Sequence, residues 1–144
     1  YQVDTHLEIK NTRPWEAGGK QIGQMVNWRV LCSSAGGFPG GEAQSWIKYG
    51  IGIDRTQEII NMALEFGLVS KAGAWYKCDF VLEEEKNLTN PSVSKLLSTN
   101  EVDPSNIESV TKFFKFQGQE RLYNFLEENF FLMEILENDI REML

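Results

Sequence analysis

Apolar and polar residues alternate along the first third of the chain, as they do in a strand that buries one face. Residues 3–9 show this period of two, with Leu7 and Ile9 on the apolar side. Residues 25–32 repeat the pattern, and residues 43–49 predict a third strand. Short connections between consecutive strands favour antiparallel pairing. The pattern therefore predicts a small antiparallel sheet.

The segment between the first two strands, residues 11–23, contains Pro14 and the pair Gly18-Gly19. These residues predict a long hairpin loop. Three strands with such a loop bury too little apolar surface to form an independent core. We therefore expect the strands to extend a larger sheet.

From residue 54 onwards the apolar residues recur with the period of a helix. Asp54 is a good N-cap, and Gln57 three residues later completes a capping box. Gly67 is placed to end this helix as its C′ residue. The apolar face of the helix consists of Ile59, Ile60, Ala63, Leu64 and Phe66.

Three further helices are predicted in the remainder of the chain. Asp103-Pro104 is an N-cap followed by proline at N1, and it opens a helix that runs to about Lys115. Short helices follow at residues 121–128 and from Asn129 to the end. The residues predicted to face inward are Ile107, Val110, Phe113, Phe114, Leu132, Ile135, Leu136, Ile140 and Met143. The fold class is α+β, with short antiparallel strands followed by a mainly helical C-terminal part.

The charge of the chain is strongly asymmetric. The formal net charge is −7, which divides into +1 for residues 1–48 (five basic, four acidic) and −8 for residues 49–144 (nine basic, seventeen acidic). An acidic second part argues against strong non-specific binding of nucleic acid. Any contact with DNA must use a local basic spot, and Lys71 and Lys77 on either side of Trp75 form the best candidate. Lys71 has a second explanation, as a cation that caps the carbonyls of the preceding helix.

Aromatic residues suggest how the segment around Lys71 is held. Gly73 and its small neighbours let Trp75 and Tyr76 lie close to the backbone, so Gly73 and Trp75 are predicted as a structural anchor. Trp28 and Trp75 are interpreted as core residues. Trp15 lies in the predicted polar loop and has no evident role.

The residues of common catalytic and metal sites are absent or isolated. Gly19-Lys20 is the only Gly-Lys pair, and it lacks the other residues of a phosphate-binding P-loop. His6, the only histidine, is predicted to be exposed on an edge strand, so no catalytic residue and no metal site are predicted. Cys32 and Cys78 suggest reduced thiols in a cytoplasmic protein. No apolar run approaches the ~20 residues of a membrane span.

Several motifs together resemble the C-terminal region of bacterial RecA recombinases and, more loosely, their T4-type phage relatives. The two strongest are Tyr49-Gly50-Ile51-Gly52-Ile53 and the segment from Lys71 to Tyr76. Weaker matches are Gln117-Gly118, Asn124-Phe125-Leu126 and the last six residues. The resemblance implies that residues 1–53 are the last strands of a RecA-like ATPase core and that residues 54–144 are the C-terminal domain. Residues 77–114 then form an insertion.

The resemblance also implies a function for the parent protein. RecA proteins form filaments on single-stranded DNA, use ATP and Mg²⁺, and promote strand exchange. The P-loop, the catalytic glutamate and the DNA-binding loops of the family would all precede Tyr1. The chain alone is therefore expected to hold no cofactor and to hydrolyse no ATP. Its expected contributions are weak capture of duplex DNA, regulation of the filament, and self-association with filament neighbours.

Individual residues inherit roles from the same resemblance. Tyr49 and Gly50 match a Tyr-Gly pair that borders the base of the bound nucleotide. Lys71 matches a lysine implicated in contact with duplex DNA, whereas a second such lysine is replaced by Gln119. The two lysines that reach a neighbour's phosphates fall at Ser33 and Ala35. An alternative hypothesis is a free-standing acidic protein-interaction module derived from this region.

Overall fold

The computed structural model describes residues 4–34 and 39–144, so the predictions for Val3 and for Ala35 lie outside the described residues. The chain divides into two compact units between Glu58 and Ile59. The predicted fold class, antiparallel strands followed by a mainly helical part, is confirmed.

The first unit is built on a four-stranded antiparallel sheet in which each strand pairs with the next along the chain. Consecutive antiparallel pairing is the arrangement that short connections favour. The strands are β1 (Thr5–Ala17), β2 (Lys20–Ser33), β3 (Glu42–Lys48) and β4 (Gly52–Ile53).

The prediction of a long loop over residues 11–23 is wrong. Strand β1 continues to Ala17, β2 begins at Lys20, and the turn between them consists of Gly18 and Gly19. Their φ values of 59° and 76° are those of a tight two-residue hairpin turn. Pro14 is tolerated because, among the described residues, β1 pairs with β2 alone and is an edge strand. Register shifts along β1 interrupt the regular alternation of apolar and polar side chains from which strands were predicted.

Side chains on the first sheet give Trp15 a role and correct the interpretation of Trp28 as a core residue. Trp15 packs edge-to-face against Trp46, with ring centroids 5.3 Å apart. Trp28 is only half-buried, and it lines a cavity of about 560 Å³ on the sheet together with Leu7 and Val30. Gly23 is required because a Cβ there would lie 2.1 Å from the carbonyl oxygen of Ile47.

Helix α1 (Arg55–Glu65) begins and ends where the sequence predicted. The amide of Gln57 donates to Oδ1 of Asp54 at 2.8 Å, which confirms Asp54 as the N-cap. The amide of Asp54 donates to the carbonyl of Trp46 at 2.7 Å and ties the start of the helix to β3. Gly67 has φ 75° after the helix, as a C′ glycine does.

The second unit packs helices around a small antiparallel sheet. Its strands, in the order β5-β6-β7, are β5 (Ser70–Ala72), β6 (Trp75–Lys77) and β7 (Lys115–Gln117). Its core includes Ile60, Phe80, Leu97, Phe114 and Leu136, all almost fully buried. The helices after α1 are α2 (Asp79–Leu82), α3 (Glu85–Leu88), α4 (Pro91–Thr99), α5 (Ile107–Phe113), α6 (Gln119–Glu128) and α7 (Phe130–Met143).

Several helix boundaries differ from the prediction. The expected helix from Pro104 begins only at Ile107, because Asn106 is the N-cap and Asp103 instead accepts from Ser105 in a local turn. Ile107 was predicted to face inward but is 81% exposed at this first position. The chain then enters β7 at Lys115, and Met143 is half-exposed near the C-terminus.

The proposed insertion, residues 77–114, is largely helical, and it is joined to the last helix by a buried polar network. The side-chain nitrogen Nδ2 of Asn87 donates to Oδ2 of Asp139 at 2.8 Å and to the backbone carbonyl of Phe80 at 2.7 Å. Lys86 lies 3.2 Å from the other carboxylate oxygen of Asp139. Asn87 and Asp139 are both buried, so their side chains need these partners within the protein.

Candidate nucleic-acid interface

The predicted DNA-contacting segment is the hairpin formed by β5 and β6. Ala72 pairs with Trp75, so Gly73 and Ala74 make a two-residue turn. Gly73 has φ 62°, and a Cβ there would meet open space. The glycine is therefore needed for its backbone conformation and not for close packing.

The two aromatic residues of β6 have opposite environments. Tyr76 is 6% exposed and belongs to the core, whereas Trp75 is 42% exposed. Successive side chains of a strand point to opposite faces, so only one of the two can be buried against the helices. The prediction that Trp75 is a core residue is wrong, and Tyr76 is the buried member of the pair.

The same alternation separates the two lysines proposed for DNA contact. Lys71 is the direct neighbour of Tyr76 in the ladder and shares its face of the sheet, with Nζ 5.4 Å from the centre of the Tyr76 ring. Lys77 is the direct neighbour of Ser70 and lies on the opposite face with Trp75. The structure does not bring Lys71 and Lys77 together on one face.

Lys71 is exposed and is not used as a helix cap. Among the described residues, its ammonium group makes no ion pair and donates no hydrogen bond to the carbonyls at the end of α1. The contact with Tyr76 orients the side chain and leaves its charge uncompensated.

Lys77 is engaged with a carboxylate of its own chain. Its Nζ lies 3.0 Å from Oδ1 of Asp79, whose side chain is buried. The adjacent Asp79 carboxylate raises the pKa of Lys77 above its ordinary value of 10.5, because its negative charge favours the protonated ammonium. Much of the positive charge at this position is therefore neutralised within the protein.

Lys115 is a third lysine in this sheet, and sequence reasoning missed it. It is the direct neighbour of Lys77 across the β6–β7 ladder, and its Nζ lies 5.1 Å from the centre of the Trp75 ring. The amide of Cys78 donates to the carbonyl of Phe114, and that of Gly118 to the carbonyl of Ala74, which fixes both ends of β7. The sequence placed Lys115 at a helix end, and no local pattern reveals a three-residue strand whose partner, β6, lies far away in the sequence.

Tyr49 and Gly50 lie in the first unit, in the turn between β3 and β4. The amide of Ile51 donates to the carbonyl of Lys48 at 3.1 Å, and Gly50 has φ 79°, which the turn requires. Tyr49 is 54% exposed, and its hydroxyl oxygen accepts a hydrogen bond of 2.7 Å from Nε2 of Gln21. The turn presents the tyrosine ring at the surface.

The histidine and the two cysteines form no further site among residues 4–34 and 39–144. His6 is the ladder partner of Cys32 and both are exposed, but no group of three or more potential metal ligands occurs in this part of the chain. Burial raises the pKa of the Cys78 thiol, which keeps it protonated. None of the described helices is long and apolar enough to cross a membrane.

Comparison with known proteins gives a consistent family. No protein-family model matches the chain. Protein RecA of Thermotoga sp. (strain RQ2) is 33% identical over 88 residues, which are 61% of this chain and 24% of the relative. Protein RecA of Thermotoga maritima is 32% identical over 88 residues, which are again 61% of this chain and 24% of the relative. Protein RecA of Acholeplasma laidlawii is 37% identical over 70 residues, 49% of this chain and 21% of the relative.

The chain therefore spans about a quarter of the length of the curated relatives it matches. The similar segment covers about half or more of the chain, and the same protein recurs among organisms. The resemblance drawn from the motifs is confirmed: over this segment the chain is similar to RecA proteins, which supports a match to a RecA C-terminal portion.

Proposed function

We propose that the chain is part of a RecA-like homologous recombination protein. The whole protein binds ATP with Mg²⁺ and single-stranded DNA, and it promotes strand exchange. This portion contributes capture of duplex DNA and regulation of the filament. The observation that carries the proposal is the 33% identity to a RecA protein over 88 residues. The alternative of a free-standing acidic interaction module is not favoured, because RecA proteins of several organisms are similar to this chain.

Within this proposal Lys71 is the residue that contacts duplex phosphates. Its ammonium group is exposed, lies on an edge strand and has no acidic partner among the described residues. Lys77 contributes less, since Asp79 already holds its charge. With so few phosphate contacts the affinity is weak, on the order of 10⁻⁴ M.

The acidity of residues 49–144 supports the regulatory part of the proposal. Residues 49–144 carry a formal net charge of −8, from nine basic and seventeen acidic residues. A negative field of this size repels DNA everywhere except at local cations. In the same proposal Tyr49 and Gly50 border the base of a nucleotide held by the rest of the protein.

Fluorescence anisotropy of a labelled duplex at low salt tests the role of Lys71. The Lys71→Ala variant is expected to bind several-fold more weakly, and the slope of log K against log salt is expected to fall by about 0.9, the value for one phosphate contact. Lys95→Ala is the matched control, because Lys95 is also exposed but lies on α4. Equal binding by the parent chain and the Lys71→Ala variant would contradict this assignment.

A further inference from the structure

Trp75 is an exposed aromatic ring that the core does not use. Its neighbour Tyr76 is 6% exposed and packs against the helices, while 42% of Trp75 remains accessible on the other face of β6. An accessible indole on a short, well-paired strand is a rigid surface for another planar group. The two-residue turn at Gly73 and Ala74 restricts the position of the ring further.

The charge beside this ring is positive. The Nζ of Lys115 lies 5.1 Å from the centre of the Trp75 ring. Lys77 is the direct neighbour of Lys115 in the ladder and lies on the same face of the sheet. Lys115 has no ion pair with any described residue, whereas Lys77 is paired with Asp79. The face defined by Trp75, Lys77 and Lys115, which we term the Trp75 face, therefore combines an aromatic ring with one uncompensated cation.

An aromatic ring next to a lysine is the combination that binds single-stranded nucleic acids. Unpaired bases stack on aromatic side chains, and the adjacent phosphates contact the cations. Bases inside a duplex are stacked on one another, so their faces are not available to a protein ring. The Trp75 face is thus suited to an unpaired strand, and it lies opposite to the face that carries Lys71.

We propose that the Trp75 face binds a single nucleic-acid strand, with one unpaired base stacked on Trp75 and a phosphate on Lys115. The inference rests on the proposed function in one respect, that the chain contacts DNA. It differs from that function in its ligand, its residues and its face of the sheet. A chain with both sites contacts a duplex through Lys71 and an unpaired strand through Trp75 and Lys115.

Titration of the full chain with a twelve-residue oligothymidylate at low salt, followed by tryptophan fluorescence, tests the proposal. The oligonucleotide is expected to quench part of the emission, and the Trp75→Phe variant identifies this part among the four tryptophans. Trp75→Ala is expected to bind about tenfold more weakly, as loss of one stacked base requires. Lys115→Ala is expected to reduce the salt slope by about 0.7, the value for one contact to a single strand.

An abasic oligomer of the same length separates stacking from simple charge attraction. Stacking predicts that the abasic oligomer binds about tenfold more weakly than the oligothymidylate. Equal binding of the two oligomers, or unchanged binding by the Trp75→Ala variant with a native circular dichroism spectrum, would overturn the proposal. Lys95→Ala again serves as the control for lost charge.

The two DNA hypotheses fail in different measurements. If Lys71→Ala leaves duplex binding unchanged, the duplex assignment is wrong, and the oligothymidylate titration still decides the Trp75 face. If oligothymidylate does not quench Trp75, the inference here is wrong, and the duplex experiment still decides Lys71.

Discussion

At the scale of single residues, one lysine of the predicted basic spot is occupied with a structural ion pair. Asp79 is 7% exposed, and Nζ of Lys77, at 3.0 Å, is the ion-pair partner of its buried oxygen. A buried carboxylate that loses its cation retains the full cost of desolvation. Replacing Lys77 therefore affects folding as well as charge, and it is a poor test of DNA binding.

We expect the Lys77→Ala variant to be about 1–2 kcal/mol less stable than the parent chain, because Asp79 is left without its partner. The raised pKa of Lys77 means that the ion pair stabilises the folded state fully below pH 10.5 and is lost as the pH rises above that value. Urea unfolding at pH 7–8 and at pH 11 measures both effects. The difference between parent and variant should shrink at the higher pH.

Lys77→Arg and Lys115→Ala are the controls for this experiment. The arginine keeps the charge beside Asp79, and Lys115 has no carboxylate partner among the described residues. Both variants should unfold near the parent's midpoint. A Lys77→Ala variant as stable as Lys115→Ala would show that the ion pair contributes nothing measurable.

At the scale of elements, prediction succeeded where the signal was local. Asp54, Gln57 and Gly67 define both ends of α1 through contacts within a few residues, and the sequence placed them correctly. The start of β3 and the antiparallel pairing followed from alternation and short connections. These features depend on residues that are close in the sequence, so they can be predicted from a single sequence.

Prediction failed where an element depends on distant partners. β1 runs through residues 11–17 because β2 pairs with it, although Pro14 and the exposed side chains gave no strand pattern. β7 exists because β6 lies beside it, and so Lys115 could not be placed near Trp75 from the sequence. The candidate site was predicted only in part for the same reason. The sequence identified the segment from Lys71 to Lys77, but the strand register is needed to see that its two lysines lie on opposite faces of the sheet.

The network between α3 and α7 leads to a prediction about the insertion. We expect Asn87→Ala to destabilise the chain by about 2–3 kcal/mol, because the buried carboxylate of Asp139 and the carbonyl of Phe80 both lose a donor. Guanidinium unfolding followed by circular dichroism measures the change. Asn124→Ala on the exposed face of α6 is the matched control. A loss no larger than the control's would mean that the network does not hold the insertion to α7.

At the scale of the whole molecule, the two units differ in how they bury apolar residues. The core cluster lies entirely between Ile59 and Ile140, within the second unit. The first unit keeps large apolar side chains at its surface, including Leu7, Ile9 and Ile53, each more than half exposed. The division at Glu58 is close to the boundary at residue 53 that the sequence suggested, and the domain assignment itself stays a proposal.

The last prediction concerns self-association of the first unit. Among the described residues β1 pairs with β2 alone, so its other edge presents unpaired backbone groups, and Leu7 and Ile9 on this strand are 51% and 57% exposed. Such an edge promotes pairing with a second copy. We expect the full chain to form dimers or larger species at high concentration, measured by light scattering after size exclusion.

Two lysine substitutions locate the contact. Ile9→Lys places a charge on the edge strand and is expected to shift the chain towards monomer, because strand pairing would bury that charge. Ser94→Lys adds the same charge at an exposed position of α4 and should leave the association unchanged. A parent chain that remains monomeric at high concentration, or an Ile9→Lys variant that associates as strongly as Ser94→Lys, would exclude β1 as the contact. Self-association that depends on Ile9 would instead assign the edge of β1 as the surface through which copies of this chain meet.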